Sequence, residues 1–141
     1  MPEPTRIKSA CHCVNLRRAA NAVTQHYDRT LAPAGLTLNQ YSLLNNLQRA
    51  GELSVTGLAR RVGLDRTTLT RNLRPLARRG LVEDRAAPGG RDRIYGVTPG
   101  GDQALAVASP LWQKAQDAVE ERLSRASLAA LEESLWLLEA I

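Results

Sequence analysis

The sequence predicts a mainly α-helical fold that contains one small β-hairpin. Apolar residues recur at spacings of three and four through most of the 141 residues, which is the period of an amphipathic helix. The exception follows Gly80, where two short strand-like runs, 81–85 and 92–97, flank a turn rich in Pro and Gly. The predicted order is therefore three or four helices, a hairpin and two more helices.

Capping residues predict the limits of the helices before the hairpin. The first helix is expected to end near residues 33–35, and its apolar stripe comprises Cys13, Leu16, Ala20, Val23 and Tyr27. Thr37 is predicted to begin the second helix, with Gln40 completing a capping box. The buried residues of that helix are predicted to be Tyr41, Leu44 and Leu47. Ser54 is predicted to cap a short third helix that ends at Gly63.

The fourth helix is predicted to run from the cap residue Asp65 to Gly80. Its inward-facing residues are predicted to be Leu69, Leu73 and Leu76. Pro75 lies inside this helix and lacks the N–H that would bond to the carbonyl of Arg71, so we expect a kink in the C-terminal half.

Two helices are predicted after the hairpin. The longer resumes from Gly101 and carries an apolar stripe of Leu105, Ala108, Leu111, Ala115, Val119 and Leu123. Ser127 is predicted to cap the last helix, whose stripe comprises Leu128, Leu131, Leu135 and Leu138. A helix this short is not stable alone, so its stripe must pack against another surface. Packing within the subunit is one alternative, and symmetric packing between two subunits is favoured.

Charge is distributed unevenly along the chain. Residues 49–95 carry eleven basic and five acidic groups, whereas residues 96–141 carry three basic and seven acidic groups, within a net charge of +5. A basic middle segment favours contact with a polyanion, although an arginine-rich solvated face has the same composition. The aromatic residues are two Trp and three Tyr, so stacking platforms for single-stranded nucleic acid are not expected.

The outer face of the fourth helix has the composition of a DNA recognition helix. When the leucines face inward, the outward-facing and flanking residues are Arg66, Thr67, Thr68, Thr70, Arg71, Arg74 and Arg78. Arginine can bind guanine edges with two hydrogen bonds, and threonine can contact phosphates or the thymine methyl group. The third and fourth helices meet at residues 63–65 as in a helix-turn-helix. Double-stranded DNA is therefore the predicted partner.

Four segments carry a resemblance to a known family: LARRVGL (58–64), DRTTLTR (65–71), LARRGLV (76–82) and VTPGG (97–101). Together they resemble the MarR family of transcriptional regulators. The resemblance implies a winged helix-turn-helix lobe over residues 37–98, flanked by dimerisation helices in residues 1–36 and 99–141. It also implies a homodimer that binds a palindromic operator, usually as a repressor released by a small molecule or an oxidant.

The resemblance places the arginine of the DNA-binding wing at Arg91. The acidic residue that the family carries two positions earlier is Gly89 in this chain. Either Asp92 and Arg93 take over that role, or the wing tip is built differently. Arg91 and Arg93 are both expected to contact DNA.

The cysteines Cys11 and Cys13 are too few for a disulfide framework. Because side chains two residues apart diverge on a helix, a disulfide between them would require local unwinding. One alternative is that both are buried as small hydrophobic residues. The other is a redox role, through a disulfide to a second subunit or through sulfenic acid.

A small aromatic or anionic effector is another expected partner. The residues predicted to line its pocket, between the dimerisation helices and the DNA-binding lobe, are His12, Tyr27, Tyr41 and Trp112. Side chains of these types also commonly fill a core.

Other functional classes receive little support from the sequence. It contains no paired nucleophile and base, phosphate loop or metal-ligand spacing, so neither an enzyme nor a cofactor or metal site is expected. A winged-helix module that binds an acidic protein is the alternative to DNA binding. No apolar run suggests a membrane span or a signal peptide, and a cytoplasmic protein is expected.

Overall fold

The computed structural model describes residues 7–141, so residues 1–6 of the predicted N-terminal dimerisation segment lie outside the described residues. The helices are α1 (His12–Leu31), α2 (Leu38–Ala50), α3 (Val55–Val62), α4 (Arg66–Arg78), α5 (Pro99–Arg122) and α6 (Arg125–Glu139). The strands are β1 (Glu52–Ser54), β2 (Val82–Asp84) and β3 (Ile94–Val97), and a short 3-10 helix, Ala32–Ala34, follows α1. The mainly α fold with a small hairpin is therefore confirmed.

Side-chain caps begin α2, α3 and α4 at the predicted residues. The Thr37 hydroxyl accepts from the backbone N–H of Gln40 at 3.2 Å, and the Gln40 side chain accepts from the Thr37 N–H at 3.1 Å. The Ser54 hydroxyl accepts from the Gly57 N–H at 3.0 Å. Gly63 ends α3 in the left-handed conformation, with φ of 67°. These caps satisfy N–H and C=O groups that the helix itself leaves free.

Two predicted helix starts are wrong by a few residues. Ser124, rather than Ser127, caps α6, because its hydroxyl accepts from the Ser127 N–H at 3.1 Å. The helix α5 begins at Pro99 rather than Gly101, since Thr98 accepts from the Gly101 N–H at 3.1 Å. Proline fits the first turn because the N–H it lacks would have no partner there.

The predicted hairpin belongs to a three-stranded antiparallel sheet with the strand order β1-β3-β2. Val82 lies opposite Val97 in the β2–β3 pair, and Leu53 lies opposite Tyr95 in the β1–β3 pair. The hairpin, which we call the wing, spans residues 82–97. Strand β1 was not predicted, because three residues directly before a helix cap carry too little alternation to stand out.

A single apolar core connects α2, α3 and α4 with α5 and the end of α1. Its fully buried large side chains are Leu31, Leu43, Leu44, Leu47, Leu58, Leu69 and Leu76. The predicted inward stripe of α4 is buried throughout, and α4 continues as a helix through Pro75. Burial of that stripe turns the opposite face of α4 outward.

The predicted stripes of α1 and α6 stay largely uncovered within this chain. Leu16 and Val23 of α1 are 41% and 43% exposed, whereas Tyr27 is buried. In α6, Leu131 and Leu135 are 41% and 39% exposed, and none of the residues of this helix is buried. Residues 7–141 therefore leave α6 largely uncovered, which disfavours packing of this helix within the subunit. No helix within residues 7–141 is long and apolar enough to cross a membrane.

Candidate nucleic-acid interface

The N-terminus of α4 is fixed by Asp65. Its carboxylate accepts from the backbone N–H of Thr68 at 2.9 Å and from the Thr68 hydroxyl at 2.9 Å. These bonds, chiefly the backbone one, lower the pKa of the Asp65 carboxyl below its ordinary value. The charged cap therefore holds the first turn of α4 in place at neutral pH.

Six predicted residues of α4 line one open groove on the outer face of the helix. The groove has a volume of about 460 Å³ and is lined by Arg66, Thr67, Thr70, Arg71, Arg74 and Arg78. All six are exposed. No acidic side chain of the described residues lines this groove, so its four guanidinium groups create a strip of positive potential along the helix. This arrangement suits a polyanion whose charges are regularly spaced.

Thr68 is directed differently from the other predicted residues. It is half-buried, and its hydroxyl donates to the Asp65 carboxylate rather than pointing into the groove. Its carbonyl also accepts from the side chain of Asn72 at 2.9 Å. The structure thus assigns the Thr68 side chain to the helix cap.

The wing contains a cross-strand ion pair that the sequence analysis did not predict. Arg93 donates to Asp84 at 3.1 Å, so Asp84 of β2, and not Asp92, is its acidic partner. Arg91 is exposed nearer the tip, where Gly89 adopts φ of 80°. Asp84 lies opposite Tyr95, so Arg93 is its diagonal neighbour across the ladder. The alignment of β2 with β3 therefore identifies this ion pair, but the alignment itself cannot be read from the sequence.

Arg85 connects the three strands at the base of the wing. Its guanidinium pairs with Glu83 at 3.0 Å and donates to the carbonyls of Val97 at 3.0 Å and Gly51 at 3.3 Å. The group lies over Gly96, where any Cβ would collide with it. The sequence does not reveal this role, because an exposed arginine next to a strand carries no signal of its backbone partners.

Both cysteines are free and exposed in the described chain. Cys11 precedes α1 as its N-cap, with extended backbone angles of φ −85° and ψ 117°, and Cys13 lies in the first turn. Arg17 approaches the Cys13 sulfur at 3.8 Å. Neither thiol is buried by the part of the chain that the structure describes.

The four predicted effector-lining residues do not surround one cavity. Tyr41 and Trp112 stack at 5.8 Å between ring centroids, whereas the Tyr27 hydroxyl donates to the side chain of Gln116. Burial, and then the charge of Glu120, raises the pKa of Tyr27. His12 lies beside Leu16 and Leu138 at the start of α1 and outside the aromatic stack.

A different cavity lies between α1 and α5. Its volume is about 530 Å³, and its lining residues are Ala22, Val23, His26, Arg29, Ala118, Val119, Arg122 and Leu123. Apolar side chains form most of this wall, and two arginines add positive charge. The sequence does not reveal this cavity, because its two walls are about ninety positions apart along the chain. Helical spacing within α1 does place Val23 and His26 on one face. Within residues 7–141, no group of three or more His, Cys, Asp or Glu side chains could hold a metal ion.

Known proteins match this chain in sequence and in structure. A model of the MarR family matches residues 34–91, which run from just before α2 into the first part of the wing. The Mycobacterium tuberculosis transcriptional regulator MosR is 39% identical, with 92% of this chain and 98% of that chain covered and a TM-score of 0.74. A structure of MosR in complex with DNA gives 37% identity, 91% and 98% coverage and a TM-score of 0.74.

The chain is also similar to the solved structure of NadR in complex with 4-hydroxyphenylacetate. It is 26% identical, with 96% of each chain covered and a TM-score of 0.69. Comparison with curated proteins gave no match. The sequence identity to MosR extends over nearly the whole of both chains. The family model matches the part of the chain that contains α4 and its groove. This chain belongs to the MarR family of transcriptional regulators.

Proposed function

We propose that the protein is a homodimer that represses transcription by binding a palindromic operator and is released by an oxidant or a small ligand. The observation that carries the DNA-binding part is the groove along α4, with its four exposed arginines and exposed threonines. A helix with such a face fits the major groove of duplex DNA. The structure of MosR with DNA supports the same assignment by similarity.

Two sites are proposed to add contacts beside the major groove. At the N-terminus of α4 the exposed Arg66 guanidinium and Thr67 hydroxyl are proposed to bind phosphate oxygens. The wing tip carries the exposed Arg91, which can enter the neighbouring minor groove. Arg93 is proposed to act mainly through its ion pair with Asp84, by holding the wing in shape.

Dimerisation is proposed from the uncovered apolar faces of α1 and α6. Leu131, Leu135 and Leu138 form one exposed stripe on α6, and Leu16 and Val23 form another on α1. Covering such surfaces removes apolar area from water, which favours association. A two-fold dimer also presents two copies of α4 about one helical turn of DNA apart, about 34 Å, as a palindrome requires.

Two features support release by a signal. The exposed thiols of Cys11 and Cys13 are accessible to oxidants, and they lie at the start of a proposed dimerisation helix. The cavity between α1 and α5 combines apolar walls with Arg29 and Arg122, which suits an aromatic carboxylate. NadR was solved with a ligand of that chemical class.

Selection from a random duplex library, followed by fluorescence anisotropy at several salt concentrations, tests the proposal. We expect the selected sites to be inverted repeats and the affinity to fall steeply with salt. Absence of measurable affinity for any duplex at low salt would contradict DNA binding. Recovery of an acidic protein partner in that case would favour the protein-interaction alternative.

A further inference from the structure

Arg79, the residue directly after α4, forms a hydrogen bond with the connection between α1 and α2. Its Nη1 donates to the carbonyl oxygen of Gly35 at 2.7 Å, although the two residues are 44 positions apart. We infer that Arg79 is a positioning residue that fixes the recognition helix α4 relative to the dimerisation helix α1. The inference rests on the proposed function, because only a DNA-bound dimer depends on the separation of its two recognition helices.

The backbone at the end of α4 holds Arg79 in one place. Its N–H donates to the Pro75 carbonyl at 3.0 Å, and the Leu81 N–H donates to the Leu76 carbonyl at 2.9 Å. Gly80 adopts φ of 71°, the left-handed conformation that ends many helices. Because the Arg79 backbone moves with α4, a contact of its side chain constrains the whole helix.

The receiving connection is itself firmly attached to α1. The Gly35 N–H donates to the Ala32 carbonyl at 2.9 Å, and the Leu38 N–H donates to the Asp28 carboxylate at 2.7 Å. A Cβ at Gly35 would lie 3.2 Å from Nη2 of Arg79, so the guanidinium packs directly against the Gly35 backbone. Asp28 therefore holds the connection from α1, and Arg79 holds it from α4.

Apolar packing alone does not fix this relationship. Leu31 and Leu36 from the α1 side share the core with Leu76 of α4, but the hydrophobic effect that drives such contacts is non-directional. The hydrogen bond from the Arg79 guanidinium to the Gly35 carbonyl, at 2.7 Å, is by contrast strong and directional. Arg79 is also exposed, so we expect its loss to alter helix geometry more than folding stability.

Double electron–electron resonance tests the positioning role without DNA. One spin label is placed on α1 by Gln25→Cys and one on α4 by Thr70→Cys, both exposed positions, in a Cys11→Ser/Cys13→Ser background. The labelled protein is diluted with excess unlabelled protein, so that a dimer contains at most one labelled chain. The measured distance is then the one between the two labels of the same chain. The comparison includes Arg79→Ala, the conservative Arg79→Lys, and Arg49→Ala as an exposed control in the last turn of α2.

We expect Arg79→Ala to broaden or shift the distance distribution, Arg79→Lys to restore it, and Arg49→Ala to leave it unchanged. Superimposable distributions for the parent and Arg79→Ala would overturn the inference. This measurement needs neither an operator nor a dimer, so its failure is distinguishable from failure of the proposed function.

Operators with one base pair added or removed between half-sites give the second test. We expect the wild type to lose about tenfold in affinity on such duplexes and Arg79→Ala to lose less than about threefold, because its recognition helices are less constrained. The unfolding temperature of Arg79→Ala should fall by no more than about 4 °C. The slope of log affinity against log salt concentration provides the opposing outcome. If this slope is smaller by about one in Arg79→Ala and the spacing preference is unchanged, Arg79 is a phosphate contact and the inference is overturned.

Discussion

The Arg93 guanidinium donates to the Asp84 carboxylate at 3.1 Å and joins the two strands of the wing below its tip. Arg91, two residues earlier, is exposed nearer the tip. The two arginines that sequence analysis treated alike therefore have different surroundings. Arg91 is available to an external anion, whereas part of the charge of Arg93 is already neutralised.

Replacement of the two wing arginines should separate these roles. We expect Arg91→Ala to weaken operator binding about tenfold and to lower the salt slope by about one, because a direct contact is lost. Arg93→Ala should lower the unfolding temperature slightly, since an exposed ion pair contributes only about 0–1 kcal/mol. Anisotropy and thermal unfolding measure both effects. An Arg91→Ala variant with unchanged affinity and salt slope would exclude Arg91 from the interface.

The Asp65 cap should make stability depend on pH in the acid range. Hydrogen bonds from Thr68 lower the pKa of the Asp65 carboxyl in the folded protein below its ordinary value. The cap therefore stabilises the fold fully at any pH above the pKa of this carboxyl in the unfolded chain. That stabilisation is lost as the pH falls through the folded pKa. The wild type should therefore unfold at a higher temperature than Asp65→Ala at neutral pH, and the difference should vanish in strong acid. A difference that grew on acidification would contradict this account.

Charge placed on the exposed stripe of α6 should prevent dimerisation. Leu131→Glu and Leu135→Glu are expected to give a monomer in light scattering and to weaken operator binding, because burial of a carboxylate in an apolar interface is unfavourable. Ala126→Glu, at an exposed position on the opposite face of the same helix, is the matched control and should remain dimeric. Dimers of unchanged stability in both leucine variants would place the interface elsewhere.

Oxidation should reveal whether the exposed thiols act in release. We expect peroxide treatment to reduce operator binding by the wild type, and Cys11→Ser or Cys13→Ser to retain binding under the same treatment. Mass spectrometry then distinguishes sulfenic acid from a disulfide within or between chains. Equal affinity of reduced and oxidised wild type would remove the cysteines from the signal and leave the α1–α5 cavity as the site to investigate.

The sequence predicted those features of the fold that depend on neighbouring residues. The capping residues Thr37, Ser54 and Asp65 bond to groups only three residues away, so their roles follow from local spacing. The same local pattern was ambiguous at the start of α6, because Ser124 and Ser127 are both capping types at that spacing.

Features that depend on tertiary register could not be predicted. The Asp84–Arg93 pair requires the strand alignment, and the Arg79–Gly35 bond joins segments that are distant in sequence. A periodic stripe also does not show which surface will cover it. Leu69 of α4 is buried inside the chain, whereas Leu131 of α6 is 41% exposed, although both belong to regular apolar patterns.

Direct measurement of DNA binding by the Arg71→Ala/Arg74→Ala variant tests the central claim, that α4 reads the operator. Both side chains line the α4 groove and are exposed, so their removal should leave the unfolding temperature unchanged. Arg49→Ala/Arg125→Ala removes the same charge outside the groove and serves as the control. We predict that the groove variant loses about 100-fold or more in operator affinity, at about 1–3 kcal/mol for each contact, while the control stays near wild type. Unchanged affinity of the groove variant would contradict the account.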